Sequence, residues 1–94
     1  MMSTTFSRVA YKAIVTRYLP ATMRLPGRVK ASDSDGNTTT ISWDSSLNTL
    51  PNHQTAAEAL CKKMGWHGHY VSGATKDGYA HVLERREGQQ NERA

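Results

Sequence analysis

The segment NHQTAAEALCKKMGW, residues 52–66, predicts one amphipathic helix. Asn52 is a suitable N-cap, because its side-chain oxygen can accept a hydrogen bond from a free amide of the first turn. The apolar stripe of the helix, at intervals of four, consists of Ala56, Leu60 and Met64. Gly65 and Trp66 fit a Schellman ending, in which a left-handed glycine follows the helix and the next residue packs back on it. We therefore expect a helix over about residues 52–64.

Alternating runs on both sides of this helix predict strands. The run VAYKAIVTRYL, residues 9–19, is rich in β-branched and aromatic residues and predicts the first strand. Residues 28–32 and 38–43 alternate around Asp35-Gly36, which is a strong hairpin signal. Residues 68–84 predict a second hairpin after the helix, or one strand interrupted at Gly73 and Gly78.

These elements predict a single α+β domain over residues 1–83, in the order β-β-β-α-β-β, with an antiparallel sheet packed on the one helix. Residues 1–8 are expected to be a loose lead-in, and residues 84–94 a disordered polar tail. The expected core is formed by the apolar positions that would face the helix: Ala13, Val15, Val29, Ala31, Ile41, Trp43, Ala56, Leu60, Met64, Val71 and Val82.

The composition limits the class of protein. The chain has 94 residues, of which 37% are hydrophobic, so one small core is expected. Its single cysteine excludes an internal disulfide and a cysteine-rich zinc site. No apolar run approaches the roughly 18 residues needed to cross a membrane, and we see no signal peptide. We therefore expect a protein of the reducing cytoplasm, without membrane contact.

One polar segment is similar to an EF-hand calcium loop. Asp33, Asp35 and Asn37 alternate, and Asp44 stands at the twelfth position of the loop. The sixth position is Thr38, where a calcium loop needs glycine, and no helices are predicted on either side. The segment therefore predicts a hairpin turn without calcium.

Histidines and the cysteine suggest a metal site or a nucleophile. His67 and His69 can present two imidazoles on one side, with His81 or Cys61 as a third ligand. Their spacing matches no zinc finger, however, and Cys61 falls on the apolar stripe, where a buried thiol is common. We therefore expect no metal, no cofactor and no enzyme. A small metal-dependent enzyme or metal-binding domain ranks third among the candidate functions.

The positive charge is concentrated at the start of the chain. Twelve basic and eight acidic residues give a net charge of +4, and six of the basic residues precede Asp33, the first acid. Such a field attracts phosphates or an acidic protein surface, although a solvated sheet face has the same pattern. The expected binding residues on and beside the hairpin are Arg24, Arg28, Lys30, Thr38, Thr40 and Lys76.

A pattern of scattered positions resembles a small protein family of bacterial phages and plasmids. The matching pieces are Arg17-Tyr18-Leu19-Pro20-Ala21-Thr22, Arg28-Val29-Lys30-Ala31, Trp43-Asp44, His53 before Ala56-Ala57, Met64-Gly65-Trp66 and Lys76-Asp77-Gly78-Tyr79. The likeness spans about residues 17–83 and contains no catalytic signature. The loop MRLPG, residues 23–27, departs from the polar loop usual in the family.

The resemblance implies an accessory protein of a mobile element in the cytoplasm of a bacterial host. It raises two functions. The first is binding to nucleic acid, or to a nucleoprotein complex of the host, through the basic sheet face. The alternative is inhibition of a bacterial defence system through a protein contact, as anti-CRISPR proteins do. Homodimerisation stays open.

Overall fold

The structure is a computed structural model, and it describes residues 3–84. This part of the chain contains β1 (Ala13–Leu19), β2 (Arg28–Ser32), β3 (Thr38–Ser42), α1 (Thr49–Met64), β4 (His69–Ala74) and β5 (Gly78–Glu84). The α+β fold and the order β-β-β-α-β-β are confirmed. Glu84, the first residue of the predicted tail, is the last residue of β5, and residues 85–94 lie outside the described residues.

The strands form one antiparallel sheet in the order β3-β2-β1-β5-β4. The first strand is therefore central, and both hairpins are placed beside it. Helix α1 packs on one face of the sheet, against β1, β2, β3 and β5. On each strand, every second side chain points to the opposite side of the sheet. We call that side the open face, because no described helix covers it.

The first hairpin turns as predicted. Gly36 has φ of 92°, a conformation that side chains rarely adopt. The Asp33 carboxylate accepts hydrogen bonds from the backbone N–H groups of Asp35 and Asn37 and from the Asn37 side chain, at 2.9–3.0 Å. These bonds lower the pKa of Asp33, with the Asn37 side chain as the largest cause. The Asp33 carboxylate, one of the groups that suggested calcium, therefore holds the turn itself.

The helix begins three residues earlier than predicted, at Thr49 after the N-cap Asn48, which makes no side-chain capping bond. The predicted N-cap, Asn52, is instead buried inside the helix. Its Oδ1 accepts from the N–H of Asp44 at 2.8 Å, and its Nδ2 donates to the carbonyls of Asp44, Leu47 and Asn48. Asn52 thus ties the loop before the helix to the helix.

The predicted end of the helix is confirmed. Gly65 is left-handed, with φ of 75°, and Trp66 donates its backbone N–H to the carbonyl of Cys61 at 2.9 Å. The indole of Trp66 packs against the core and carries the Lys12 ammonium 3.7 Å above its ring. The side chain is therefore half-buried rather than fully enclosed.

The core agrees with the prediction on α1, β2 and β3 and differs on the other strands. Val29, Ala31, Ala56 and Leu60 are buried, and the predicted residues packed beside them are Ile41, Trp43 and Met64. Four predicted core residues instead lie on the open face and are exposed: Ala13, Val15, Val71 and Val82. On β1 the buried side chains are Ile14 and Thr16.

The reason for this reversal is a polar pairing inside the core. Thr16 and His81 face the helix and are 0% and 2% exposed. Buried polar groups are costly without hydrogen bonds, so the sequence pattern places them outside. Here they bond to each other, and the valines beside them in the chain turn outward because successive strand residues alternate.

Candidate functional site

The open face carries a cluster of cations on the neighbouring strands β1 and β2. Arg17 of β1 lies opposite Lys30 of β2, and Arg28 is two residues from Lys30 on the same face. On β3, Thr40 lies opposite Lys30 and Ser42 opposite Arg28, so hydroxyl groups border the cations. We call Arg17, Arg28 and Lys30 the basic cluster.

The six predicted binding residues separate into two groups. Arg28, Lys30, Thr38 and Thr40 share the open face, as β2 and β3 pair in the expected register. The other two, Arg24 and Lys76, are exposed in the loop between β1 and β2 and in the turn between β4 and β5. Both connections leave the same end of the sheet, because Arg17 lies opposite Gly78 at the start of β5.

No acid of the described part of the chain forms an ion pair with the basic cluster. The ion pair found within residues 3–84 joins His69 and Glu84, at 3.6 Å, on the β4–β5 side of the sheet. Arg28 Nε donates to the carbonyl of Pro26 at 3.2 Å, which leaves the charge of its guanidinium available. Within residues 3–84, therefore, these cations have no carboxylate partner.

A chain of hydrogen bonds crosses the interior between the helix and the sheet. Thr16 Oγ1 lies 2.8 Å from His53 Nδ1 and 2.9 Å from His81 Nε2. The other ring nitrogen of His81 lies 2.8 Å from Ser72 Oγ, which also accepts from Gln54 Nε2 at 3.3 Å. The buried chain therefore runs His53, Thr16, His81, Ser72, Gln54.

Burial keeps both imidazoles of this chain neutral at pH 7. Burial lowers the pKa of His53, and hydrogen bonding with the backbone of Thr16 opposes part of that effect. Burial also lowers the pKa of His81, and the nearby His53 lowers it further. Neutral rings can each accept one hydrogen bond and donate another, as the buried chain requires.

Ser72 and His81 have the separation of a nucleophile and its base. In hydrolases of that kind a carboxylate stabilises the imidazolium that forms. Here the third group is the uncharged hydroxyl of Thr16. The arrangement therefore suits a role in holding the sheet to the helix better than it suits catalysis.

A pocket of about 560 Å³ opens between the start of α1 and the end of the sheet. We call it the aromatic pocket, because four of its lining residues carry rings: Tyr18, Trp43, His53 and Tyr79. Tyr18 and Trp43 meet at 77° and 5.1 Å, Trp43 and His53 at 83° and 6.4 Å, and His53 and Tyr79 at 62° and 4.9 Å. Steep angles between neighbouring rings make a bent wall rather than a flat platform.

A larger groove of about 790 Å³ runs along the other flank of the helix. Among its lining residues are Tyr70 and Cys61. Burial raises the pKa of Tyr70 to about 12, and the adjacent Cys61 thiol adds to this. The Tyr70 hydroxyl is buried and has no other hydrogen-bond partner in the described part of the chain. Ser72 and His81 also reach this groove, whereas His53 reaches the aromatic pocket.

The histidines considered as metal ligands do not come together. His67 and His69 are exposed, and His81 is buried in the hydrogen-bonded chain. Within residues 3–84 no three side chains of His, Cys, Asp or Glu are placed to hold a metal ion. No helix in the same range is long and apolar enough to cross a bilayer.

Sequence reasoning missed Arg17 and the buried chain for one shared reason. Both depend on which face of β1 points inward, and the expectation that Ala13 and Val15 do so also placed Arg17 inside. The strand itself carries no decisive local signal, because Ile14 of the buried row and Leu19 of the open-face row are aliphatic residues of equal size.

Comparison of the chain with protein-family models, with curated proteins and with solved structures finds no match. The family resemblance described above therefore stays an expectation.

Proposed function

We propose that this protein binds nucleic acid, alone or within a nucleoprotein complex, through the phosphates that contact its open face. The basic cluster is the observation that carries the proposal. Its three cations lie on adjacent strands, two of them directly opposite each other, and no acid of the described chain pairs with them. A phosphate backbone is a regular array of negative charge, and such cations release its counterions on binding.

The hydroxyl groups beside the cluster support the same ligand. Thr38, Thr40 and Ser42 all lie on the open face, on the strand next to the cations. Hydroxyls commonly donate to phosphate oxygens and set the position of the backbone without reading bases. The strand residues of this face include no Phe, Tyr or Trp, on which bases would stack. Binding that tolerates many sequences is therefore expected.

A protein target is the second candidate, and a different observation favours it. Val15, Val71 and Val82 are 45%, 48% and 37% exposed and lie on the same face as the basic cluster. An apolar strip beside cations matches a partner surface that combines apolar and acidic residues. A host defence protein inhibited by contact would present such a surface. Self-association through the strip would make a homodimer.

The proposal places this binding protein in the cytoplasm of a bacterial host, as an accessory of a mobile element without catalysis of its own. The resemblance to phage and plasmid proteins and the charge of the open face support this. Lys76 and Arg24 extend the positive surface toward one end of the sheet, where a longer ligand would reach them.

Two variants with the same loss of charge test the binding face. Arg17→Gln/Lys30→Gln removes two opposing members of the basic cluster, and Lys62→Gln/Lys63→Gln removes two exposed cations from the last turn of the helix, on the other side of the sheet. Fluorescence anisotropy with labelled single-stranded and duplex DNA and RNA, over a series of salt concentrations, gives the affinity and its salt slope. The first variant should lower the slope by roughly 1.4–1.8, because each lost phosphate contact removes about 0.7–0.9.

Lys62→Gln/Lys63→Gln should keep the slope of the unchanged protein within about 0.5, which is less than one phosphate contact. If the two variants weaken binding equally, net charge rather than the open face explains it, and the proposal fails. No binding of any nucleic acid at micromolar protein concentrations also removes it. Binding to a protein target then becomes the favoured function. Loss of a protein partner on mutation of Val71 would support it.

A further inference from the structure

A second site lies on the helix side of the sheet, in the aromatic pocket. We propose that this pocket binds an alkylated ammonium group, either of a small molecule or of a modified lysine side chain. The site is independent of the nucleic-acid proposal, because its residues point away from the open face. The first observation that supports this proposal is the set of aromatic side chains lining the pocket, which remain partly accessible.

The rings retain the surface that a cation needs. Tyr18 is 44% exposed, and Trp43 and Tyr79 are half-buried, although all three pack within the same bent wall. The face of an aromatic ring is negative, and indole attracts a cation most strongly. Neighbouring rings at steep angles surround a compact, rounded group better than they sandwich a flat one.

The charge of the pocket is opposite to that of the protein. Asp77 at its rim is the one charged side chain among the described residues that line it, in a chain with a net charge of +4. His53, at its inner side, adds no positive charge, because burial keeps its imidazole neutral. The pocket is therefore selective for a cation against an anion.

The lining offers many rings and few hydrogen-bond acceptors. A primary ammonium has three N–H donors to satisfy, and it is strongly hydrated. Asp77 alone provides a carboxylate, and the other polar side chains are the His53 imidazole, the Trp43 indole and hydroxyls such as that of Thr75. An alkylated ammonium has few or no N–H donors and loses little hydration, so it fits this chemistry better than a free lysine does.

The two tryptophans allow a direct test on the unmodified protein. Trp43 lines the aromatic pocket and Trp66 lines the larger groove, and the chain has no others. Their indole N–H signals are followed by NMR, with assignment through Trp66→Phe. Choline and a peptide with trimethyllysine are titrated as cations, with 3,3-dimethylbutanol as the neutral isostere of choline.

The Trp43 signal should shift and saturate with choline, with the trimethyllysine peptide or with both, and the Trp66 signal should stay in place. Of choline and the trimethyllysine peptide, the ligand that binds more tightly shows whether the ammonium group belongs to a small molecule or to a modified lysine. Affinity for the neutral isostere should be about ten-fold lower. Asp77→Asn should weaken cation binding several-fold, and Asp35→Asn, an exposed acid in the other hairpin turn, should not.

Equal affinity for choline and its neutral isostere would overturn the proposal, as would a shift of Trp66 instead of Trp43. A Trp43 signal that responds to adenosine and not to either cation would assign the pocket to a base. If Asp77→Asn fails to fold, Tyr18→Leu replaces it, since that exposed ring can be removed with less disturbance.

Discussion

Thr16 is the residue on which the interior depends most. Its hydroxyl serves the ring nitrogens of two histidines that come from the helix and from β5. Neither ring nitrogen has another hydrogen-bond partner in the described chain, and both histidines are only 2% exposed. One hydroxyl therefore satisfies two buried polar groups on different elements.

Thr16→Val keeps the shape of the side chain and removes the hydroxyl. It should lower the free energy of unfolding by about 2–4 kcal/mol, because each unsatisfied buried group costs about 1–3 kcal/mol. Urea denaturation followed by circular dichroism measures the change. Thr40→Val, the same change on the exposed face, should stay within about 0.5 kcal/mol. A loss below about 1 kcal/mol for Thr16→Val would show that the rings find other partners.

At the level of elements, glycines correctly predicted the hairpin turn and the end of the helix. On the central strand β1, the alternation of side chains did not predict which face is buried. Gly36 and Gly65 both require a left-handed backbone, which few other residues tolerate, so their positions carry unambiguous information. On β1 both faces carry β-branched residues. The choice between them is made by His53 and His81, which are distant in sequence. No local pattern contains that choice.

The candidate site was predicted in part for the same reason. Arg28, Lys30, Thr38 and Thr40 could be assigned to one face, because their hairpin is local and its turn fixes the register. Arg17 joins them only through the pairing of β1 with β2, across the loop of residues 20–27. The aromatic pocket combines four elements and could not be assembled from the sequence.

The pairing of β1 with β5 leaves no room for a side chain at Gly78. A Cβ at this position would overlap the backbone carbonyl of Thr16. Gly78→Ala should therefore destabilise the protein by about 1–3 kcal/mol, the usual cost of overpacking. Gly73→Ala on the neighbouring β4 is the matched control, because a Cβ there meets nothing within 4 Å.

Thermal unfolding of the two glycine variants gives the comparison. The control should be neutral or slightly stabilising, since alanine restricts the unfolded chain more than glycine does. Equal melting temperatures for the two variants would contradict the close approach of β5 to β1.

At the level of the whole molecule, stability should depend on pH through the two buried imidazoles. An imidazole in the unfolded chain titrates near 6.5, and burial lowers the pKa of His53 and His81 below this value. Between the two values the unfolded chain binds more protons, so acid favours unfolding. Their contribution to stability is complete above about pH 6.5 and is lost as the pH falls through the folded pKa.

Urea denaturation at successive pH values from neutral to mildly acid should show this loss, at most about 1.4 kcal/mol per pH unit for each imidazole. Asp33 and Asp44, whose pKa values lie below 3.8, act in the same direction only at lower pH. In His67→Gln/His69→Gln the exposed imidazoles are absent, so the remaining slope belongs to the buried pair. A stability that does not change between pH 7 and 5 would contradict the prediction.

The hydroxyl of Thr16 carries a single proton, and this gives the buried chain of hydrogen bonds a direction. If Thr16 donates to His53, then His81 donates to Thr16 and accepts from Ser72. In the reverse direction both imidazoles hold the opposite tautomer. The Thr16 hydroxyl can also donate to the carbonyl of Tyr79, 3.5 Å away. When it donates to a histidine instead, His53 at one cavity and Ser72 at the other share one setting. A molecule that offers His53 a donor or an acceptor selects the direction, and the orientation of the Ser72 hydroxyl then reports that choice in the other cavity.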